Sequence, residues 1–254
     1  MCLIIFSWQP DASYPLTLVA NRDEFYDRPT AQAHFWEDHP DIFGGRDQEA
    51  WGSWLALNRS GRFAAVTNYR QWPAPEGDIS RGQLVTDCLN SSLSTHSFIN
   101  NIQKNALRYS GFNFLAGSIN ELYYYSNIED VVKKLEPGVY GLCNKLLNTP
   151  WPKLLNARDA VTKVLNKDNF AEPKALLQIM QNTTTFPSHL LPDTGIGREK
   201  ERLLSSAFVS SPIYGTRNTS VLIFNRHKEV SWHEQTYGTN GCHLEWKHFS
   251  IGYE

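Results

Sequence analysis

An α+β fold built on antiparallel sheets is the class this sequence predicts, and three observations predict it. Apolar runs of strand length come in pairs joined by short turns. Stretches with apolar residues at three- and four-residue intervals fall in groups after those pairs. Strand and helix do not alternate one for one, so parallel βαβ units are not expected.

Each element has its own signal. Cys2 to Trp8 and Leu16 to Ala20, apolar runs on either side of a Pro10/Pro15 turn region, read as an opening hairpin. Trp54 to Leu57 and Arg62 to Asn68, joined across Asn58-Arg59-Ser60-Gly61, read as a second. Phe112 to Ser118 with Leu122 to Ser126 makes a third, and Val139 to Asn144 follows Pro137-Gly138 as a further strand. Thr219 to Phe224 and Val230 to His233 form the last hairpin, around the charged turn His227-Lys228-Glu229. Helical spacing marks Gly82 to Leu89 behind the N-cap candidate Ser80, then Phe98, Ile102 and Leu107, then Trp151 to Leu165, Pro173 to Met180 and Arg198 to Phe208. The stretch Phe25 to Trp51, with its paired Gly44-Gly45, reads as a long loop or lid. No linker, repeat or low-complexity tract interrupts residues 1–254, which predicts a single domain.

Composition narrows the function classes. With 41% hydrophobic residues in 254, the chain can build a sizeable core. Its 24 Lys plus Arg stand against 26 Asp plus Glu, a net charge of -2. That balance leaves no footprint for nucleic acid or an anionic membrane, so a ligand is expected in a pocket. The four cysteines, Cys2, Cys88, Cys143 and Cys242, are far apart and show no CxxC spacing, so no disulfide framework or zinc ribbon is expected. The first apolar run ends at Ser7 with no basic residue ahead of it, unlike a secretory signal, and no later run reaches the roughly 20 residues of a membrane span. A soluble cytoplasmic protein is the expectation. His34, His39, His233, His243 and His248 fit no standard metal spacing, and Gly195-Ile196-Gly197 lacks the strand a nucleotide loop needs, so no metal or cofactor is assigned. Trp36, Trp51, Trp54, Trp72 and Tyr69 line an apolar cleft or belong to the core.

Cys2 stands directly behind Met1. Taken alone it reads as a small buried strand residue. Its position supplies another reading, because removal of Met1 would expose an α-amine of pKa about 8 beside the thiol, so that one residue could provide both nucleophile and base.

Longer motifs decide between these readings. Ala20-Asn21-Arg22-Asp23-Glu24 with Arg28-Pro29, the block Gly138 to Pro152, Leu191 to Leu204, and Tyr214-Gly215-Thr216-Arg217-Asn218-Thr219 resemble the signatures of the NRDE, or transport and Golgi organisation, family along essentially the whole chain. A more distant resemblance is to the choloylglycine hydrolase and penicillin V acylase group, which cleaves amide bonds with an exposed Cys. Together these imply a four-layer αββα sandwich of the N-terminal-nucleophile hydrolase type. By that resemblance Cys2 is the nucleophile, Arg22 favours its thiolate and Asp23 holds the α-amine. In the acylases the acid follows the arginine by three positions, where this chain has Phe25, so either Asp23 or Glu24 takes the role. Asn68 and Asn144 correspond to the asparagines that serve the oxyanion and its surroundings, and Arg217 to a late arginine. The implied reaction is hydrolysis of a nonpeptide carbon–nitrogen bond in a small amide. The NRDE resemblance carries a rival: a carrier that holds haem or a lipid such as an acyl-CoA without turning it over.

Overall fold

The structure is a computed structural model that describes residues 2–9, 12–167 and 172–254. Its described residues form thirteen strands and five α-helices. The first part of the chain runs β1 (Cys2–Trp8), β2 (Leu16–Phe25), β3 (Thr30–Phe35), β4 (Ile42–Asp47), β5 (Leu55–Asn58) and β6 (Phe63–Asn68), then α1 (Arg81–Asn90) and α2 (Thr95–Lys104). The middle holds β7 (Phe112–Gly117), β8 (Leu122–Ser126), β9 (Val131–Lys134) and β10 (Gly138–Leu142), followed by α3 (Pro152–Lys167), α4 (Pro173–Met180) and α5 (Arg198–Leu203). The last three strands are β11 (Tyr214–Phe224), β12 (Glu229–Tyr237) and β13 (His243–Gly252).

Two sheets result. The first has the order β10-β1-β2-β11-β12-β13 and the second runs β3 to β9 in sequence, and the strand pairs are antiparallel throughout. Alternation along each strand sends residues to opposite faces and so creates three apolar layers. Ile4, Phe6, Leu18, Phe43, Leu55 and Trp232 pack between the sheets. Leu3, Ile5 and Val19 pack with Leu154 and Val161 of α3 and Leu176 of α4. Ala64, Val66 and Phe114 pack with Leu84, Val85 and Cys88 of α1 and Ile99 of α2. The order is helix, sheet, sheet, helix, as the αββα expectation requires. It also explains why β1 is an unbroken apolar run rather than an alternating one: both of its faces are covered.

One expectation fails. The stretch Phe25 to Trp51 is no lid, because it contains β3 and β4, an edge hairpin of the second sheet. Gly44-Gly45 lies inside β4 and is no turn. A Cβ on Gly44 would meet the Ala56 Cβ at 2.6 Å, and one on Gly45 would meet the Trp54 ring at 2.4 Å, so these glycines mark close packing inside a strand. The last predicted helix is also shorter, ending at Leu203 rather than Phe208. No local signal marks strands β9 and β13; β13 is largely exposed and its pattern is aromatic and charged rather than alternating.

Candidate active site

Strand register sets Cys2 opposite Arg22. Cys2 belongs to the apolar layer between the sheets, as do Leu18 and Ala20 of β2. Alternation therefore points Arg22 and Glu24 to that same layer and Asn21 and Asp23 to the α3–α4 side. The hydrogen bonds agree. Asn21 Nδ2 donates to the carbonyls of Met180 at 2.8 Å and Ala207 at 2.9 Å. Asp23 Oδ1 accepts from Thr216 Oγ1 at 2.8 Å. The Arg22 guanidinium lies 4.3 Å over the Trp54 ring, donates to Thr30 Oγ1 at 3.2 Å and stands 3.6 Å from Asp47 Oδ2.

A cleft of about 350 Å³ opens at this end of the sheets, and Cys2, Arg22, Asp23, Glu24 and Asn68 line it. Its far wall is the segment 77–82, including Arg81 at the start of α1. Arg28 completes the wall, held by Asp47 at 2.7 Å and Glu49 at 3.0 Å. Burial raises the Cys2 thiol pKa; Arg22 works against that rise, whereas Asp23 and Glu24 add to it. Burial also raises Asp23, with Lys153 opposing. Burial lowers Arg81, and the nearby Glu24 and Cys2 partly restore it. The raised pKa keeps the resting thiol protonated at neutral pH, so any nucleophilic role needs a base to take its proton.

Two candidates lie off this wall. Asn144 is fully buried; its Nδ2 donates to the Asn68 carbonyl at 3.0 Å, and its Oδ1 has no partner among the described residues. It braces the strand end that carries Asn68. Arg217 sits at a bulge in β11 and donates to the carbonyls of Phe25 at 2.6 Å and Arg28 at 3.0 Å, which fixes the turn between β2 and β3. Sequence reasoning missed Asp47 and Arg81. The Ser80-Arg81-Gly82 start of α1 carries only a capping signal in the sequence, and Ser80 makes no side-chain capping bond. Of the aromatic set, Trp54 lines the cleft, Trp36 and Tyr69 are buried, and Trp51 and Trp72 are exposed. Among the described residues no group of three or more His, Cys, Asp or Glu could hold a metal ion, and all four cysteines are free. No described helix is long and apolar enough to cross a membrane.

The sequence model of the family described as "Transport and Golgi organisation 2" matches residues 1–239. The chain belongs to that family. Transport and Golgi organisation 2 relatives in animals are similar over nearly their full length. The homologue from Bos taurus is 33% identical over 93% of each chain, and that from Homo sapiens 32% identical over the same share. Among solved structures, the C2A mutant of the conjugated bile acid hydrolase from Clostridium perfringens superposes with a TM-score of 0.55, covering 100% of this chain and 95% of that one at 9% identity. The chain thus shares the αββα fold of that hydrolase.

Proposed function

We propose that this protein hydrolyses a nonpeptide carbon–nitrogen bond in a small amide, with Cys2 as nucleophile once Met1 has been removed. Met1 itself lies outside the described residues. The observation that carries the proposal is the convergence of Cys2, Arg22 and Asn68 on one cleft at the ends of the two sheets. The fold shared with a conjugated bile acid hydrolase supports it.

In this reading the Cys2 α-amine takes the thiol proton, and the sulfur attacks the amide carbon. Arg22 stabilises the thiolate that burial opposes. The oxyanion forms near Asn68, whose amide donates to it, with Asn144 holding Asn68 in place. The ammonium then protonates the leaving nitrogen, the C–N bond breaks and a Cys2 thioester remains. Water activated by the same amine releases the carboxylic acid. Asp23 or Glu24 holds the amine; strand alternation puts Glu24 on the thiol's side and Asp23 behind it. Arg217 acts at one remove, by fixing the turn that carries Arg28.

A carrier role for haem or an acyl-CoA draws on one observation, the raised thiol pKa, which suits a thiol that stays protonated. The cleft wall favours the hydrolase. Seven of its residues are charged, among them Arg22, Arg28, Asp47 and Arg81, which suits a polar amide better than a flat apolar macrocycle.

The test is intact mass of protein expressed with its native start, before and after treatment with a thiol-acylating probe. A Cys242→Ser background is needed because Cys242 is exposed. Loss of Met1 and a single adduct that disappears in Cys2→Ala are expected, followed by release of amine in an amide screen. Retained Met1, or equal labelling in Cys2→Ala, overturns the proposal.

A further inference from the structure

The α3–α4 side of the first sheet carries a second cavity, and its lining shares no residue with the Cys2 cleft. It lies between the first half of α3 and the end of α4 and encloses about 380 Å³, within the range of roughly 300–1,000 Å³ typical of ligand pockets. Three alanines, Ala157, Ala160 and Ala207, leave the space, and Ile179 and Phe186 add apolar wall.

Lys153 is among the lining residues and is only 4% exposed. Its ammonium has three hydrogens to donate, and one goes to the Leu204 carbonyl at 2.8 Å. Among the described residues no carboxylate comes within ion-pair distance of it. Burial lowers the pKa of Lys153, and the charge of Asp23 is the strongest influence opposing that shift. A buried ammonium with unfilled donors beside an open cavity is a standing energetic cost that a ligand anion would remove. The charge is single and the remaining wall is neutral, so one negative charge matches it and a dianion would not.

We infer that this cavity binds a small monocarboxylate with an apolar body, its carboxylate paired with Lys153 and its body laid against Ala157, Ala160, Ile179 and Phe186. The amide groups of Asn156, Gln178 and Asn182, whose residues are exposed, form a polar rim that hydrogen-bonds the acid or the water above it. A neutral molecule of the same shape fills the space without pairing the ammonium. The site is independent of the amide chemistry proposed for Cys2, since neither the cavity nor its charge requires the thiol to react.

Calorimetric titration of the full-length wild-type protein with hexanoate and with 1-hexanol tests this. Saturable one-to-one binding of hexanoate is expected, at least tenfold tighter than that of hexanol. Lys153→Met should weaken hexanoate at least tenfold and leave hexanol nearly unchanged. Ala160→Phe, at a half-buried position whose side chain faces the cavity, should block both and remains informative if Lys153→Met fails to fold. Arg81→Ala, in the Cys2 cleft, should alter neither. No saturable hexanoate binding, unchanged binding in folded Lys153→Met or Ala160→Phe, or a loss in Arg81→Ala would each overturn the inference.

Discussion

Arg22→Met removes the guanidinium that lies over Trp54 and with it the cation that favours the Cys2 thiolate. Removing a positive charge raises a thiol pKa, so the pH midpoint of Cys2 alkylation should move upward by about one unit, on the order of 1.4 kcal/mol. Alkylation rate against pH in the Cys242→Ser background reads this directly. If Asn68 serves the oxyanion, Asn68→Ala should cut turnover roughly 100-fold or more with little change in the melting curve. Asn144→Ala, which acts through Asn68, should cost both turnover and stability. Away from the cleft, His233 stacks on His248 at 4.3 Å, and burial, with help from the His248 charge, lowers its pKa to about 4. The folded protein therefore holds His233 neutral. Between about pH 6.5 and 4 the unfolded chain binds the extra proton, so this contribution is present above that window and is lost as pH falls through it. The melting temperature should drop by about 3 °C or more across the window, and His233→Gln should flatten the drop. At this scale the sequence was partly legible. Cys2, Arg22 and Asn68 could be named because the acylase resemblance carries over to them one by one. Asp47 and Arg81 could not, because they join the site from another hairpin and from a helix whose register with Cys2 is a tertiary fact.

Among the elements, β3 shows where reading stopped. Its inward contacts run through main chain and acid: the Ala33 amide donates to Glu234 Oε1 at 2.9 Å, linking the second sheet to β12 of the first. Glu234 also accepts from Asn218 and Ser220, each at 3.1 Å. No local pattern announces an edge strand held by a carboxylate 201 residues away. Truncating that acid, Glu234→Ala, leaves buried donors unpaired and should destabilise by about 1–3 kcal/mol in urea unfolding. Gly44→Ala should cost a similar amount, about 1–3 kcal/mol, because its Cβ would fall 2.7 Å from the Leu55 carbonyl and something must shift. Such an effect would be near zero if residues 25–51 were the loop that their composition suggests. By contrast, β1 and β8 were legible to the residue, since a strand covered on both faces and a run of tyrosines between turns leave little ambiguity.

For the molecule as a whole, the αββα order followed from family resemblance, and the antiparallel character followed from hairpin turns. The order of strands in the first sheet did not, because β10 and β11 reach β1 and β2 from more than a hundred residues away. Long-range ion pairing closes this assembly. Arg70, just past β6, bonds Glu201 of α5 at 2.8 Å with both side chains buried, and Glu201 accepts from the Thr194 amide at 2.9 Å. Glu201→Ala strands a buried guanidinium and should cost about 3–5 kcal/mol, measured by the urea midpoint, whereas a surface pair such as Arg59–Asp41 should cost almost nothing.

The Asn21-Arg22-Asp23-Glu24 run works as a matter of parity. Odd positions serve the helix side and even positions the thiol side, so one short word is spoken to two audiences at once. Substitution can edit either message alone. A single inserted or deleted residue within β2 would exchange them, handing the amide and the aspartate to Cys2 and turning the arginine toward Lys153, cation against cation. A substitution in this strand disturbs one side alone, whereas a change in its length disturbs both.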